Sequence, residues 1–371
     1  MSKEGVMRAA VLEEQGAGLV VRDDLKIEAP RAGQVRVRVC HCGLCHSDLS
    51  MIDGAFPAAL PLVLGHEAAG VVEEVGPGVD SLAEGDHVVL TPCPPCGSCY
   101  FCVRGEPWVC VEAVGLTTNT FPDGTTGLAL GDQLVYRGLN VGAFAENVVT
   151  AANGAVKIPK DVPLDVACVI GCAVQTGVGA VLNTAAVEEG ATVLVLGLGG
   201  IGLSVVQGAR LAGAARIVVS DPVGERREAA RALGATDFVD PGGEDVLARG
   251  MEITGVGFDY AFECAGRSAL IETGIAAVRN GGTVVMVGAP PLEETFSMLP
   301  AAFLITGKKL FSTVLGGAHS LRDIPRYIAL WQSGRLDLEA LITSRRPLAE
   351  INGALDDMRA SRGVRTVLDV G

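Results

Sequence analysis

The chain has 371 residues, of which 49% are hydrophobic, and a formal net charge of −14 at pH 7. This length and apolar content predict a globular protein of two domains and exclude a disordered or fibrous one. A pI near 4.8 argues against nucleic acid and anionic membranes as partners, because both repel an acidic surface.

The N-terminus leads directly into a strand-like segment at residues 7–12 and lacks the apolar core and cleavage site of a secretory signal. The most apolar run, residues 191–206, is interrupted by glycines and too short to span a bilayer. Eleven cysteines in such a chain favour metal ligation in a reducing compartment. We therefore expect a soluble, cytoplasmic protein without a membrane partner.

Up to about residue 150, short β patterns alternate with turns rich in Gly, Pro and Asp. This texture predicts an all-β, barrel-like body that carries long loops. Besides residues 7–12, the predicted strands are residues 34–40, 68–75, 86–90 and 143–149.

Two segments of this body, and a third just after it, carry residue types that bind zinc. They are Cys45 to Asp48, His66 with Glu67, and Cys172, each in glycine-rich surroundings. Two thiolates and one imidazole would leave a fourth zinc position open, as a catalytic site requires. The alternative is that Cys45 and Cys172 are small buried residues and that His66 is a core histidine.

Four cysteines with the spacing C-x2-C-x2-C-x7-C lie between these segments, at Cys96, Cys99, Cys102 and Cys110. Four thiolates at this spacing can converge on one tetrahedral metal, which predicts a closed, structural zinc site. Surface thiols or disulfides are the alternatives, and Cys93 is an alternate ligand. A nucleic-acid-binding zinc module is disfavoured because the flanks of the loop are nearly uncharged.

Beyond residue 190, apolar strand patterns alternate with helical ones. This alternation predicts an α/β domain with a doubly wound, parallel sheet. The predicted strands are Thr192–Leu196, Arg216–Ser220 and residues 258–264 and 283–287, and the predicted helices include residues 203–211, 225–233 and 268–279.

The first of these strands runs into the motif G-x-G-x-x-G, with glycines at Gly197, Gly199 and Gly202. Such a turn before a helix lets the backbone approach a pyrophosphate, and the helix N-terminus offers free N–H groups to it. The alternative is a glycine-rich turn in an ordinary βαβ unit.

Asp221 ends the next strand, where a carboxylate binds the ribose hydroxyls of a dinucleotide. A carboxylate there would repel a 2′-phosphate, so NAD is favoured over NADP. Arg226 and Arg227 weaken this preference, because an arginine can accommodate the additional phosphate.

The last part of the chain predicts helices at residues 321–333 and 351–360 and strands at 341–343 and 365–370. It is too small for a domain of its own, so we expect it to pack back onto the N-terminal body.

Taken together, these motifs make the chain resemble the zinc-dependent alcohol dehydrogenases of the medium-chain dehydrogenase/reductase superfamily over essentially its whole length. The matching stretches are residues 45–48, 65–70, 96–110, 172–176, 197–202, 262–264 and 365–367. The resemblance implies a GroES-like catalytic domain at 1–175 with both zinc sites, a Rossmann domain at 176–318, and a segment at 319–371 that returns to the first. It also implies oxidation of a small-molecule alcohol to an aldehyde or ketone with NAD, and two zinc ions per chain, one catalytic and one structural.

The resemblance also implies a role for each matching residue. Cys45, His66 and Cys172 would hold the catalytic zinc, with Glu67 beside it as a transient ligand. Asp48 would orient His66 from behind.

In the same way, Ser47 would take the substrate proton. Many family members carry a histidine three residues after this serine, and that histidine continues the proton relay. Ser50 occupies the position here, so we assign Ser50 no role.

The cofactor residues implied in the same way are spread along the chain. His46 and Arg365 would contact the pyrophosphate, and Arg226 the adenosine ribose. The remaining members of this set are Thr176, Gly197, Gly199, Gly200, Ile201, Gly202, Asp221 and Val287.

Substrate recognition departs from that of the glutathione-dependent formaldehyde dehydrogenases. Phe56 and Val114 stand where those enzymes carry an acid and an arginine, so glutathione adducts are not the expected substrates. An apolar channel instead suits a primary alcohol with an aromatic or medium-chain aliphatic body, and Pro92 widens the inner pocket. The alternatives are an S-hydroxymethyl thiol-adduct dehydrogenase, a nicotinoprotein with permanently bound NAD, and a non-enzymatic relative, which the full ligand set disfavours.

The segment 308–315 is predicted to be the terminal strand of the parallel sheet. In the family this edge pairs across a two-fold axis, and an exposed apolar edge invites association. We therefore expect a homo-oligomer, with a dimer favoured over a tetramer.

Overall fold

Residues 5–371 are described by the computed structural model and divide into two units. The first contains the chain up to Cys172 together with His319–Ser333 and Ile342–Gly371, and the second contains Ala173–Ala318 and Gly334–Leu341. The predicted α/β fold, with a barrel-like β body and a separate parallel sheet, is confirmed.

The strands follow one another in chain order along both units. Those up to residue 158 are β1 (Gly5–Leu12), β2 (Val20–Ile27), β3 (Gln34–Gly43), β4 (Leu62–Val63), β5 (Glu67–Val75), β6 (His87–Leu90), β7 (Leu128–Leu130), β8 (Gln133–Leu134), β9 (Tyr136–Arg137), β10 (Asn147–Ala151) and β11 (Ala155–Ile158). The later strands are β12 (Thr192–Leu196), β13 (Arg216–Ser220), β14 (Asp237–Val239), β15 (Phe258–Glu263), β16 (Val278–Met286), β17 (Lys309–Ser312), β18 (Ile342–Pro347) and β19 (Arg365–Asp369).

The helices are mostly short in the first unit and longer in the second. They are α1 (His46–Ile52), α2 (Tyr100–Val103), α3 (Gly115–Thr118), α4 (Leu164–Ala167), α5 (Ala173–Gly179), α6 (Gly200–Leu211), α7 (Gly224–Leu233), α8 (Val246–Thr254), α9 (Ser268–Ala277), α10 (Pro300–Thr306), α11 (Ser320–Gln332) and α12 (Ile351–Arg359). Among residues 5–371, no single helix is long and apolar enough to cross a membrane, although the bent pair Leu164–Gly171 and Ala173–Thr184 passes that test as a pair, on length and composition alone.

Two sheets build the first unit. One has the order β8-β7-β2-β1-β4-β9, and the other has the order β11-β6-β5-β3-β19-β18 with β10 also paired to β3. In β3, Val35, Val37 and Val39 are fully buried, because the two-residue period of a strand turns every second side chain inward. The C-terminal strand β19 pairs antiparallel with the end of β3, so the late part of the chain completes this sheet.

The second unit is a parallel sheet with the order β14-β13-β12-β15-β16-β17. Its central strands β12 and β13 have the predicted bounds, since their continuous apolar runs suit a sheet that is covered on both faces. The predicted edge strand lies at the end of the sheet as β17, although it is confined to Lys309–Ser312.

Several predicted bounds differ from the structure. The helix after the glycine motif begins at Gly200, three residues before its predicted start, because the last glycines already form its first turn. The strand predicted at residues 143–149 is observed as Asn147–Ala151. Ala143 and Phe144 instead donate backbone N–H groups to Gly65 and Leu64, at 2.8 Å each.

Candidate active site

The first two metal-type segments lie where strand β3 ends and where strand β5 begins. Cys45 precedes helix α1 as its N-cap, with extended backbone angles. Asp48 occupies the third position of the helix and is fully buried. Its Oδ2 accepts the backbone N–H of Cys45 at 3.0 Å, which fixes the direction of the Cys45 side chain.

Asp48 also anchors the segment that carries His66. Its Oδ1 accepts the backbone N–H of Gly65 at 3.0 Å and lies 3.2 Å from Nδ1 of His66. Gly65 has a φ of +91°, and a Cβ there would lie 2.5 Å from Phe144, so only glycine fits. One carboxylate therefore positions two candidate ligands that are distant in sequence.

Cys172 joins these residues from the end of the first unit. It follows a one-turn 3-10 helix, Cys168–Gly171, and a Cβ at Gly171 would lie 2.5 Å from the carbonyl oxygen of Leu90. The ligand atoms of Cys45, His66, Glu67 and Cys172 all lie within 4.8 Å of one another, and the first three residues are buried while Cys172 is half-buried. Two sulfurs, an imidazole nitrogen and a carboxylate oxygen at this spacing fit a zinc ion.

Of the pKa shifts in this group, the one at Cys45 favours metal binding, whereas a metal must displace protons from Cys172 and His66. The hydrogen bond with Cys172 lowers the pKa of Cys45 well below its usual value, with further lowering by His66, and the same contact raises the pKa of Cys172. Burial lowers the pKa of His66, but the charges of Asp48 and Cys45 outweigh burial and raise it. Thiolate character on Cys45 beside a second sulfur is the state that a cation stabilises.

Glu67 and Arg365 form a buried pair behind the ligands. Their Oε1 and Nη1 atoms lie 3.4 Å apart, with 0% and 4% of the side chains exposed. Arg365 also donates to the carbonyl of Leu44. Burial raises the pKa of Glu67 to about 8, and Arg365 opposes this shift. Within residues 5–371, neither carboxyl oxygen of Glu67 has a hydrogen-bond partner, so a cation bound beside it would favour the ionised form.

Of the predicted relay and pocket residues, Ser47 contacts a candidate metal ligand. The Oγ of Ser47 lies 3.7 Å from Sγ of Cys45, whereas His46, the next residue toward the N-terminus, is exposed. Phe56 is half-buried and packs against the core of the unit. Pro92 is buried, and its carbonyl accepts the side-chain N–H of Asn140 at 3.1 Å.

The four cysteines of the second predicted site also converge. The ligand atoms of Cys96, Cys99, Cys102 and Cys110 lie within 4.8 Å of one another. Backbone N–H groups point at the sulfurs, as from Cys99 to Cys96 at 3.3 Å and from Cys96 to Cys110 at 3.3 Å. Donation from the N–H groups of Cys102 and Val111 lowers the pKa of Cys99 to about 6. This cluster fits a closed tetrahedral zinc site.

Cys93 is not part of that cluster. It is 3% exposed, and burial raises the pKa of its thiol to about 12.

The glycine-rich turn of the second unit connects β12 to α6. A Cβ at Gly202 would lie 1.9 Å from the carbonyl oxygen of Gly197, so helix and turn can pack this closely only with glycine. Gly199 is the N-cap and offers no side-chain cap, and a Cβ on it would meet no atom within 4 Å. The free N–H groups of Gly200 and Ile201 at this helix end fit the pyrophosphate of a dinucleotide.

Asp221 stands beside this turn and is 4% exposed. Its carboxylate accepts the backbone N–H groups of Leu198 at 2.7 Å and Val223 at 2.8 Å. Arg227 donates to the carbonyl of Asp221 at 2.6 Å and to the carboxylate of Asp240 at 2.9 Å. This structural role of Arg227 depends on contacts between separate segments, and the sequence indicated only a candidate phosphate ligand.

The other predicted cofactor residues are distributed over both units. Thr176 is buried in α5 of the second unit, and Val287 is buried just after β16 with its N–H bonded to the carbonyl of Glu263 at 2.9 Å. Arg226 is half-buried in α7. His46 and Arg365 belong to the first unit.

Comparisons with known protein families match residues in both units of the chain. The family model "Alcohol dehydrogenase GroES-like domain" matches residues 31–160, and the model "Zinc-binding dehydrogenase" matches residues 200–333. The chain is 36% identical to alcohol dehydrogenase class-3 of Drosophila melanogaster, over 97% of each chain. It is 37% identical to an S-(hydroxymethyl)glutathione dehydrogenase of Synechocystis, over 97% of this chain and 99% of the other.

Among solved structures, the chain is similar to the benzyl alcohol dehydrogenase of Acinetobacter calcoaceticus. The TM-score is 0.94 at 33% identity, covering 99% of this chain and all of the other.

Proposed function

This chain belongs to the zinc-dependent alcohol dehydrogenases of the medium-chain dehydrogenase/reductase superfamily, and on that premise we propose that it oxidises primary alcohols with an aromatic or medium-chain aliphatic body. As a family member it is an oxidoreductase that uses NAD and zinc. The observation that carries the proposal is the convergence of Cys45, His66 and Cys172 within 4.8 Å.

The three ligands and their supports define the reacting position. Zinc bound there supplies a Lewis acid that lowers the pKa of an alcohol hydroxyl. Asp48 holds His66 through Nδ1 at 3.2 Å, which leaves the other ring nitrogen for the metal. The buried Glu67 carboxylate, paired with Arg365 at 3.4 Å, provides a further ligand oxygen.

Proton removal is assigned to Ser47. Its hydroxyl lies 3.7 Å from Sγ of Cys45 and is half-buried, while His46 beside it is exposed. A proton accepted by Ser47 can thus pass toward solvent on the His46 side. Ser50 replaces the histidine of many relatives, so this exit does not require a second imidazole.

Cofactor binding is assigned to the second unit, and the roles of His46 and Arg365 of the first unit as pyrophosphate contacts stay predictions. NAD, when bound, accepts the hydride. Asp221 is placed to accept the ribose hydroxyls, and the N–H groups at the start of α6 to bind the pyrophosphate. The proposed cofactor contacts also include Thr176, Val287 and Arg226. The domain boundaries 1–175, 176–318 and 319–371 stay predictions.

The choice of substrate rests on uncharged residues at positions where the resemblance implies substrate contacts. Phe56 packs against the core, Pro92 is buried, and Val114 carries no charge to bind a carboxylate. The similarity to a benzyl alcohol dehydrogenase supports an aromatic substrate, because an aryl ring gains most from apolar walls.

The test is NAD reduction at alkaline pH with benzyl, terpenoid and straight-chain alcohols. We expect the highest kcat/KM with benzyl or medium-chain alcohols, and two zinc ions per chain by elemental analysis. Cys45→Ser should abolish turnover and remove one zinc ion, whereas Cys40→Ser, at a half-buried cysteine outside the cluster, should do neither. A zinc-loaded protein that reduces NAD with none of the alcohols would refute the proposal.

A second candidate is oxidation of S-(hydroxymethyl)glutathione, favoured by relatives that carry that name. The same assay with formaldehyde and glutathione decides between the two. A kcat/KM for the adduct above that for benzyl alcohol would favour this second candidate.

We extend the proposal to association, location and cofactor exchange. The edge strand β17 and helix α10 expose Leu304, Ile305 and Phe311, which supports a homodimer through this edge. Light scattering tests the oligomeric state.

Eleven cysteines, all unpaired, support a cytoplasmic location. Retention of NAD through gel filtration would identify a nicotinoprotein.

A further inference from the structure

Arg137 is buried in the first unit, and residues 5–371 offer it no carboxylate partner. Only 2% of it is exposed, and burial lowers its pKa to about 9. Burying a guanidinium is costly unless other groups replace its water. An arginine in this setting must therefore gain from what it contacts.

The contacts of Arg137 join three segments of the chain. Its Nη2 donates to the carbonyl oxygens of Asn140 at 2.7 Å and Val149 at 3.0 Å. Its guanidinium lies over the ring of Phe121, 3.8 Å from the centroid. A planar group with several N–H donors is needed to stack on an aromatic ring and to bond two carbonyl oxygens at the same time.

The segment that Arg137 holds is a strained turn. Leu139 and Asn140 both have left-handed backbone angles, with φ values of 51° and 66°. Two consecutive non-glycine residues in this region cost of order 1–2 kcal/mol each and persist only when their surroundings enforce them. Here Asn119 accepts the N–H of Leu139 at 3.0 Å, and Arg137 binds the carbonyl of Asn140.

This turn lies directly beside the metal-type site. It continues into Ala143 and Phe144, whose N–H groups bond the carbonyls of Gly65 and Leu64 at 2.8 Å each, immediately before His66. On its other side, Nδ2 of Asn140 donates to the carbonyl of Pro92 at 3.1 Å. The turn thus bridges the segment of a candidate zinc ligand and a candidate pocket residue.

We propose that Arg137 is a positioning residue that sets the substrate selectivity of the enzyme. It holds the turn at 138–142, and through Asn140 it fixes Pro92 at the pocket. This inference rests on the proposed alcohol dehydrogenase function. Pocket walls that shift by the width of a methylene change discrimination between alcohols by about tenfold or more, so loss of this brace is expected to alter selectivity.

The test measures kcat and KM for benzyl alcohol, hexanol and ethanol in two variants. Asn140→Ala removes the bond to Pro92 and leaves the carbonyl that Arg137 binds. Arg137→Met keeps an unbranched, flexible side chain, although a shorter one, and removes all of its donors. In both we expect the kcat/KM ratio of benzyl alcohol to ethanol to change by about tenfold, mainly through KM, with zinc content unchanged.

Arg137→Lys provides a graded variant, because an ammonium can bond one carbonyl but cannot stack as a plane. Its kcat/KM ratio of benzyl alcohol to ethanol should fall between the ratios of the wild type and Arg137→Met. Leu25→Ala is the stability control, since Leu25 is fully buried in strand β2 and makes none of these contacts. It should lower Tm and leave the ratio unchanged.

If Arg137→Met fails to fold, Asn140→Ala carries the test alone. Unchanged ratios in an active Asn140→Ala enzyme, with a fall in Tm like that of Leu25→Ala, would mean a purely structural role and would overturn the inference while sparing the proposed function. A wild-type enzyme that oxidises none of the alcohols would overturn both.

Discussion

The carboxylate of Asp48 lies 3.2 Å from Nδ1 of His66 and also accepts the backbone N–H groups of Cys45 and Gly65. One fully buried side chain therefore orients the imidazole of one candidate ligand and the backbone of another. Its charge also raises the pKa of His66. The metal site thus depends on a residue that does not itself bind the metal.

We predict that Asp48→Asn weakens zinc binding at the catalytic site about 10–100-fold, as loss of a supporting carboxylate does elsewhere. The asparagine amide has the shape of the carboxylate, but its NH2 group would face N–H donors that need an acceptor. Competition with a chelator measures the affinity. Asp53→Asn is the control, because Asp53 caps the same helix at its exposed end. Equal affinity in both variants would contradict the assigned role of Asp48.

The four-cysteine cluster is predicted to stabilise its loop and to take no part in turnover. Cys99→Ser should leave one zinc ion per chain and lower Tm, because a structural zinc contributes folding free energy directly. Elemental analysis and thermal unfolding measure both effects. A count that stays at two would indicate that Cys93 replaces the missing ligand.

Asp221 is predicted to determine the choice between NAD and NADP. Asp221→Ser removes the charge that repels a 2′-phosphate, so the kcat/KM ratio of NADP to NAD should rise at least about tenfold. NAD binding should also weaken, since Asp221 holds the N–H groups of Leu198 and Val223. Glu225→Gln, at an exposed site in α7, removes a nearby charge and should leave the ratio unchanged.

Asp259 gives the second unit a predictable pH dependence. Burial raises its pKa, but hydrogen bonds from Thr192 and Arg279 outweigh burial and lower it below 3.8. A lowered pKa stabilises the fold at neutral pH, and this contribution is lost as the pH falls through the folded-state pKa. Asp259→Asn should cost about 1–2 kcal/mol at pH 7, with the difference shrinking in acid.

Denaturant unfolding of the wild type and of Asp259→Asn at several pH values measures this difference in stability. Glu252→Gln removes an exposed helix pair with Arg249 and should have little effect. A stability difference for Asp259→Asn that stays constant from neutral to acidic pH would refute the assigned cause.

Much of this architecture is predictable from sequence because its signals are local. Strands β12 and β13 are short apolar runs with clear ends, and both were predicted with their observed bounds. The zinc-type residues could be recognised because Cys45, His66 and Cys172 stand in distinct glycine-rich contexts. Spacing alone brought the four cysteines into one predicted site.

The rest depends on contacts between distant segments, which local patterns do not contain. Ala143 and Phe144 read as part of a strand, but they bond to Gly65 and Leu64 instead. Arg137 belongs to none of the sequence motifs, and its position over the ring of Phe121 is apparent only in the structure.

Because Arg365 lies on β19, which pairs with the end of β3, the two zinc sites differ in how they can be loaded during synthesis. The four cysteines leave the ribosome close together and can capture an ion while translation continues. The pocket of Cys45 gains its arginine only when translation has passed residue 365, so a ribosome stalled before that point carries an immature catalytic site.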